Sequence, residues 1–335
     1  MTADHVRYSI VVPIFNEQAV LPVLLNRLDA LMTSLDASAE IVLVDDGSSD
    51  CSSIVLAARA KDDARYRYIR LSRNFGHQVA ITAGMDAARG DAVIVMDADL
   101  QDPPEVIEQM IARWREGFDV VYARRLSREG ESGFKRVTAA LFYRLINRLS
   151  AVDIPADVGD FRLVDRKVVE AFKRMPEQDR YVRGMFAWLG FSQAEVPFHR
   201  EARAAGETKY PLTRMIRFAV NGIVSFSDLP LRLAIWVGLV ISVMAGGYGL
   251  YAIGLRLLGG HVVEGWTSTV VVISMLCGAN MMMTGIVGLY VGRIYAEVKR
   301  RPLYVVDDKA SVDHAAVPDI PASAPIPMAQ AARGR

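Results

Sequence analysis

Cysteine is scarce in this sequence: two residues, Cys51 and Cys277, among 335. So few thiols exclude a disulfide framework and fit a catalytic part that faces a reducing compartment. A charge excess is also missing. Lys and Arg number 39 against 38 Asp and Glu, a formal net charge of +1. That balance gives no electrostatic footprint for nucleic acid. The N-terminus, "MTADHVRYSI", has neither the basic n-region nor the apolar h-region of a signal peptide, which places the first domain in the cytoplasm. No G-x-G-x-x-G follows the first β-rich run, which argues against a dinucleotide oxidoreductase. No G-x-x-x-x-G-K-[ST] is present, which argues against a P-loop NTPase.

Charge is absent altogether from two stretches. Leu233–Leu255 reads "LAIWVGLVISVMAGGYGLYAIGL" and Trp266–Gly292 reads "WTSTVVVISMLCGANMMMTGIVGLYVG". Each exceeds the roughly 20 apolar residues that cross a bilayer. The expectation is a transmembrane hairpin, about 233–257 and 266–292, rather than two buried soluble helices. Arg214, Arg217 and Arg232 precede it; Arg293, Lys299, Arg300 and Arg301 follow it. The positive-inside rule then puts both chain ends in the cytoplasm of an integral inner-membrane protein. The last residues, "SAPIPMAQAARGR", have a disordered composition.

The first 205 residues alternate β-rich and helix-like runs. "YSIVVPIF", "EIVLVDDGSSD", "YRYIRL", "DAVIVMDADL" and "FDVVYARR" read as strands. "EQAVLPVLLNRLDALM", "SSIVLAARAKD", "HQVAITAGMDAARG" (ended by Gly90) and "PEVIEQMIARWREG" (capped by Gly117) read as helices. Such alternation predicts an α/β domain with a mainly parallel sheet covered on both faces. Ligands on such sheets bind beyond the carboxyl ends of the strands.

Two of those ends are acidic. In "VMDADLQDPPE", Asp97 and Asp99 point to the same side if the strand runs through them. Paired carboxylates repel unless a positive group lies between them. Mg²⁺ or Mn²⁺ takes one or two carboxylates plus phosphate oxygens, and Gln101 could add a carbonyl oxygen. Pro103 and Pro104 would stop the strand and stiffen the corner. A bare D-x-D is also compatible with a polar turn that caps the next helix; its place after an apolar strand favours the metal. In "VDDGSSD", Asp45 or Asp46 could accept hydrogen bonds from a base or ribose. An Asp-Gly turn with Ser48 or Ser49 as a helix cap is the equal alternative.

These runs, with "NFGHQVAITAGMDAARGD", resemble the GT-A core of family 2 inverting glycosyltransferases. "ESGFKRVTAALFYRLIN", "DVGDFRLVDRKVVEAF", "RYVRGMFAWLGF" and "RAAGETKYPLTRMIRFAVNGIVSFSDLPLR" extend the likeness to the polyprenyl-phosphate glycosyltransferases, the group of bactoprenol glucosyltransferase and dolichol-phosphate mannose synthase. The likeness runs from Tyr8 to about Tyr304. It implies an NDP-sugar donor, first choice UDP-glucose with GDP-mannose or another NDP-sugar as alternative. It implies a polyprenyl phosphate acceptor, first choice undecaprenyl phosphate. Pro13, Asn16, Glu17, Asp45, Asp46 and Asp97 would line the nucleotide sugar, and Arg73 would lie near the base. Asp97, Asp99 and Gln101 would hold Mg²⁺ or Mn²⁺. His77 fits either the family pattern or a capping role.

Ser127–Arg136, "SREGESGFKR", resembles the family's acceptor loop, although a solvated surface loop has the same composition. Arg125, Arg128, Lys135 and Arg136 could meet an anionic lipid phosphate, and Arg203 and Lys209 could reach back to it. Asp157, with Asp160 as alternative, matches an aspartate that the family places near the reacting centre, as base or as orienting group. Leu212, Met215, Ile216, Ala219, Ile223 and Phe226 fall near one helical face, as suits helices of 206–231 lying in the headgroup layer or a buried amphipathic helix. The division is therefore 1–205 catalytic, 206–231 interface, 232–293 membrane and 294–335 cytoplasmic tail. "GLYVG" at Gly288–Gly292 is a G-x-x-x-G match, explicable by hairpin packing or by oligomer contact, with a tetramer as the guess. A processive polysaccharide synthase would show Q-x-x-R-W; "QMIARW" at Gln109–Trp114 has one residue too many. A non-catalytic membrane scaffold is disfavoured by the intact "DADLQ".

Overall fold

The structure, a computed structural model, describes residues 5–126, 158–199, 229–258 and 265–313. Seven strands form one sheet in the order β3-β2-β1-β4-β6-β5-β7. They are β1 (Tyr8–Ile14), β2 (Ala39–Asp45), β3 (Tyr66–Arg70), β4 (Ala92–Val95), β5 (Val120–Arg125), β6 (Val158–Asp165) and β7 (Gln193–Phe198). Strands β1 to β4 are mutually parallel; β6 runs antiparallel to both β4 and β5, and β7 is parallel to β5. The helices are α1 (Leu21–Ser34), α2 (Ser52–Asp62), α3 (His77–Ala87), α4 (Val106–Arg115), α5 (Arg166–Lys173), α6 (Val182–Trp188), α7 (Leu229–Leu257) and α8 (Trp266–Val298).

Alternation along the central strand builds the two layers. Tyr8, Ile10, Val12 and Ile14 of β1 face one core with α1, α2 and α4. Val11 faces the other, with α3, α5 and α6. Helix α1 buries Leu21, Leu24, Leu25, Leu28, Leu31 and Met32, an i, i+3, i+4, i+7 stripe. Each such leucine contributes roughly 1.5–3 kcal/mol through burial. Helix α5 starts where the Asp165 side chain accepts the Lys167 amide, an N-cap bond.

Two local expectations change. Strand β4 stops at Val95, so Asp97 and Asp99 lie on a turn rather than within a strand, and Leu100 takes φ 56° there. Helix α3 ends at Ala87 with Ala88 as its cap, so Gly90 does not end it. Gly90 instead presses on β1, where a Cβ would come within 2.6 Å of the Ser9 nitrogen. Gly117 does follow α4 with φ 102°, the left-handed C-terminal position expected of it.

The apolar helices α7 and α8 touch one another, for a Cβ on Gly238 would lie 3.5 Å from Met283. Helix α8 runs six residues past the predicted end at Gly292, to Val298. Among the described residues one stretch, Met275–Val298, is long and apolar enough to cross a membrane. The apolar stretch within α7, Ala234–Tyr248, is shorter.

After α8 the chain returns to the sheet. Ser72 N donates to Val305 O, Asp307 N to Arg70 O, and Val312 N and Tyr68 N bond each other's carbonyls at 2.8 and 2.9 Å. The tail thus covers the open edge of β3, which would otherwise present unpaired backbone groups. Asp313 seals the contact with Arg67, at 2.8 and 2.6 Å, and Arg67 also reaches Glu40 at 3.2 Å.

Candidate active site

The carboxyl ends of β1 to β4 gather their loops at one sheet edge, and β6 enters the same edge from the opposite direction. The β4–β6 register pairs Val95 with Arg162. Asp97 follows Val95 by two residues and Asp160 precedes Arg162 by two, so the antiparallel pairing brings both to this edge. His77, the first residue of α3, stands between them: its Nε2 is 3.3 Å from Asp97 Oδ1 and 3.4 Å from Asp160 Oδ2. Burial alone would depress the imidazole, but the bond to Asp160 and the charges of Asp97 and Asp160 outweigh it, and the pKa is raised.

The two aspartates have different partners. Asp160 is buried and accepts a two-pronged pair from Arg183, Nε to Oδ1 at 2.8 Å and Nη2 to Oδ2 at 3.1 Å, plus Gln78 Nε2 at 3.1 Å. Burial opposes its ionisation, but the bonds from His77 and Arg183 hold its carboxyl far below the usual range. Arg162 lies 4.0 Å away and stacks over Phe186; burial pushes its pKa down to about 10. At Asp97, burial and the charges of Asp160 and Asp99 push the pKa up, against His77. Its buried Oδ1 faces His77 Nε2 at 3.3 Å but accepts no hydrogen bond.

The Asp97 oxygen meets the test for a cation site. A buried carboxylate oxygen that carries no hydrogen bond and faces Asp99 and Asp160 as well as His77 is stabilised further by a hard cation. Asp99 is on the same turn, where its Oδ1 accepts the Gln101 amide at 3.1 Å, and Gln101 is half-buried beside it. Among the described residues no three His, Cys, Asp or Glu side chains form a complete ligand cluster. One or two carboxylates with substrate oxygens is the usual Mg²⁺ arrangement, so the donor set fits that ion or Mn²⁺.

The second acidic turn is braced from within. Asp45, fully buried, accepts Ser48 N at 2.7 Å and the Tyr68 hydroxyl at 2.9 Å. Asp46 accepts Phe75 N at 2.7 Å and Gly76 N at 2.9 Å, and burial raises its pKa. These bonds tie the loop after β2 to the loop after β3. Gly47 permits the approach: with φ 71°, a Cβ there would fall 2.6 Å from the Arg73 carbonyl carbon. Asn16, at φ 55°, accepts Ser49 N at 2.8 Å and so links the loop after β1 to the same turn. Glu17 N donates to Ser52 Oγ. Pro13 is buried in β1. The exposed Arg73 lies over the Phe75 ring, 4.1 Å from its centre.

Arg125 ends β5 with Nη2 3.6 Å from the buried Asp102. Asp157, Arg128, Lys135, Arg136, Arg203, Lys209 and the interface segment to residue 228 lie outside the described residues. The structure thus brings Asp97, Asp99, Gln101, His77 and Asp160 to one corner, with Asn16, Glu17 and the Asp45–Asp46 turn beside it. Sequence reasoning missed Arg183, Gln78 and Arg162. Arg183 and Arg162 stand within the quoted runs "RYVRGMFAWLGF" and "DVGDFRLVDRKVVEAF", but only the fold aims them at Asp160.

Known proteins match this chain along most of its length. The family model "Glycosyl transferase family 2" matches residues 9–172. An uncharacterized glycosyltransferase of Bacillus subtilis is 46% identical over 310 residues, 92% of this chain and 96% of that protein. A prophage bactoprenol glucosyl transferase homolog of Escherichia coli is 39% identical over 300 residues, 90% of this chain and 98% of that protein. Among solved structures, mannosyl-3-phosphoglycerate synthase from Rubrobacter xylanophilus aligns with 66% of this chain and 73% of its own, at 19% identity and a TM-score of 0.47. With such relatives matched nearly end to end, this chain belongs to glycosyl transferase family 2.

Proposed function

We propose that this glycosyltransferase moves a sugar, with inversion, from an NDP-sugar to a polyprenyl phosphate at the cytoplasmic face of the inner membrane. UDP-glucose and undecaprenyl phosphate are the first choices. One observation carries the reading: the relative named a bactoprenol glucosyl transferase homolog aligns over 90% of this chain. An alignment of that length takes in the acidic corner and both apolar helices.

The donor's base and ribose lie along Asn16, Glu17, Arg73 and the turn of Asp45 and Asp46, beyond the end of β1 and near its Pro13. Its diphosphate lies against Asp97, Asp99 and Gln101. Mg²⁺ or Mn²⁺ held there would offset charge on the departing diphosphate. Arg125, Arg128, Lys135, Arg136, Arg203 and Lys209 draw the lipid phosphate to the site. A phosphate monoester with a second pKa near 6 is mostly dianionic at neutral pH, so it attacks the anomeric carbon without a strong base. Asp160, held as an anion by Arg183, is unsuited to take a proton and instead orients Arg183 and His77. Asp157 remains the candidate base or orienting group.

The domain plan is 1–205 catalytic and cytoplasmic, 206–231 interfacial, 232–293 two spans and 294–335 a cytoplasmic tail. The tail's pairing with β3 supports one side of the membrane for the sheet and the end of α8. The acyl tail holds the acceptor in the bilayer at about 0.8 kcal/mol per buried CH₂. Homo-oligomers, with a tetramer as the guess, fit Gly288 and Gly292, where a Cβ would meet no atom within 4 Å. The test incubates purified protein with a panel of NDP-sugars and a short polyprenyl phosphate and weighs the lipid. A hexosyl lipid phosphate supports the reading; no lipid product from any donor overturns it.

A further inference from the structure

We propose that the cytoplasmic end of α8 positions the catalytic corner through Glu297 and Arg293, an inference that rests on the transferase reading above. Helix α8 carries one partly buried stripe: Ala279, Met283, Ile286, Tyr290, Arg293 and Glu297, spaced four, three, four, three and four residues apart. Its upper part meets α7 at Met283. Its last turns meet the catalytic domain instead. Glu297 Oε1 accepts the Gln178 amide at 2.9 Å, and Arg293 Nη2 lies 3.4 Å from Asp179 Oδ2. A helix of 33 residues is about 50 Å long, more than the roughly 30 Å hydrocarbon core, so one rigid rod serves both contacts.

The loop that α8 grips leads directly into the site. Arg180 braces it internally, with Nη2 donating to Met175 O at 2.7 Å. Three residues later Arg183 clamps Asp160, and Val182 N donates to Gln78 Oε1 at 3.0 Å while Gln78 itself donates to Asp160. The chain leaving α8 makes a further contact with the helix that carries Gln78 and His77: the Tyr304 hydroxyl donates to Asp86 of α3 at 2.9 Å. The contacts of this segment therefore converge on the loop and helix that fix Asp160 and His77. Glu297 is a positioning residue, acting through Gln178 on Arg183.

The test uses the full chain in detergent micelles as wild type, Glu297→Ala and Glu297→Gln. Hydrogen exchange is followed by mass spectrometry, and donor kinetics are measured alongside. In Glu297→Ala, loss of a charged acceptor speeds exchange at 176–183 by about fivefold or more, with strands β1 and β2 unchanged. Its kcat falls about tenfold while the donor KM stays within about threefold. Glu297→Gln, which keeps an acceptor, stays near wild type. Unchanged exchange at 176–183 in Glu297→Ala overturns the proposal, as does faster exchange spread evenly over the domain. An inactive wild type would overturn the transferase reading alone, because the exchange pattern still decides whether Glu297 fixes the loop.

Discussion

Arg183 and Asp160 meet as a fork, with Nε and Nη2 of the guanidinium 2.8 and 3.1 Å from the two carboxylate oxygens. The pair stands beside Asp97, whose buried Oδ1 carries no hydrogen bond and faces His77 Nε2 at 3.3 Å. The corner therefore holds one carboxylate bonded on both oxygens and one whose close cationic contact is His77, at 3.3 Å.

Asp160→Asn removes the anion that both Arg183 and His77 face. Turnover should fall about 100-fold or more, and the loss should not shrink as pH rises from about 6 to about 9, because Asp160 is ionised throughout that range and takes up no proton there. A loss that shrank as pH rose would instead mark a base. The pH–rate profiles of wild type and variant decide.

The same depressed pKa has a stability consequence. Asp160 contributes stability in full above its unfolded pKa of about 3.9, and that contribution is lost as pH falls below it. Asp160→Asn should be less stable at neutral pH, and the gap to wild type should narrow in acid. Urea melts at several pH values read this directly.

Gly84 lies on α3 where an added Cβ would be 2.2 Å from Val11 Cγ1 and 3.0 Å from Val44 Cγ2. Gly84→Ala should cost about 1–3 kcal/mol by overpacking. Val11→Ala in the same chain should restore part of the loss, a coupling seen in a double-mutant cycle.

Asp313→Ala leaves Arg67, which is 3% exposed, with Glu40 as its remaining carboxylate. Losing one partner of a buried charge network should cost about 2–3 kcal/mol. The melting temperature should drop by about 6 °C, and a truncation after Arg301 should drop it at least as far.

Much of this architecture is legible in the sequence where contacts are local. The run "SSIVLAARAKD" becomes α2 at Ser52–Asp62 without adjustment. Apolar β-branched runs give β1 and β2, and Gly117 ends α4 as its place predicts. The misreadings come where distant groups decide. Nothing near Gly90 says that β1 will lie against it, and the turn at Asp97 depends on where β6 stops pairing with β4. The pairing of the 294–335 tail with the sheet is not legible because its partners, Arg67 and Tyr68, stand more than 240 residues earlier. The Arg183–Asp160 fork is hidden for the same reason: 23 residues separate two charges that only the β6–α6 geometry brings together.

The most direct test of the account measures transfer from UDP-glucose to a short polyprenyl phosphate by purified wild type and Asp99→Ala, with Mn²⁺ or with EDTA, and reads the product's anomeric configuration by NMR. The account predicts a β-linked product from the α-linked donor, formed by wild type with Mn²⁺ and lost with EDTA or in the variant. An α-linked product, or transfer undiminished by EDTA and by Asp99→Ala, would contradict it.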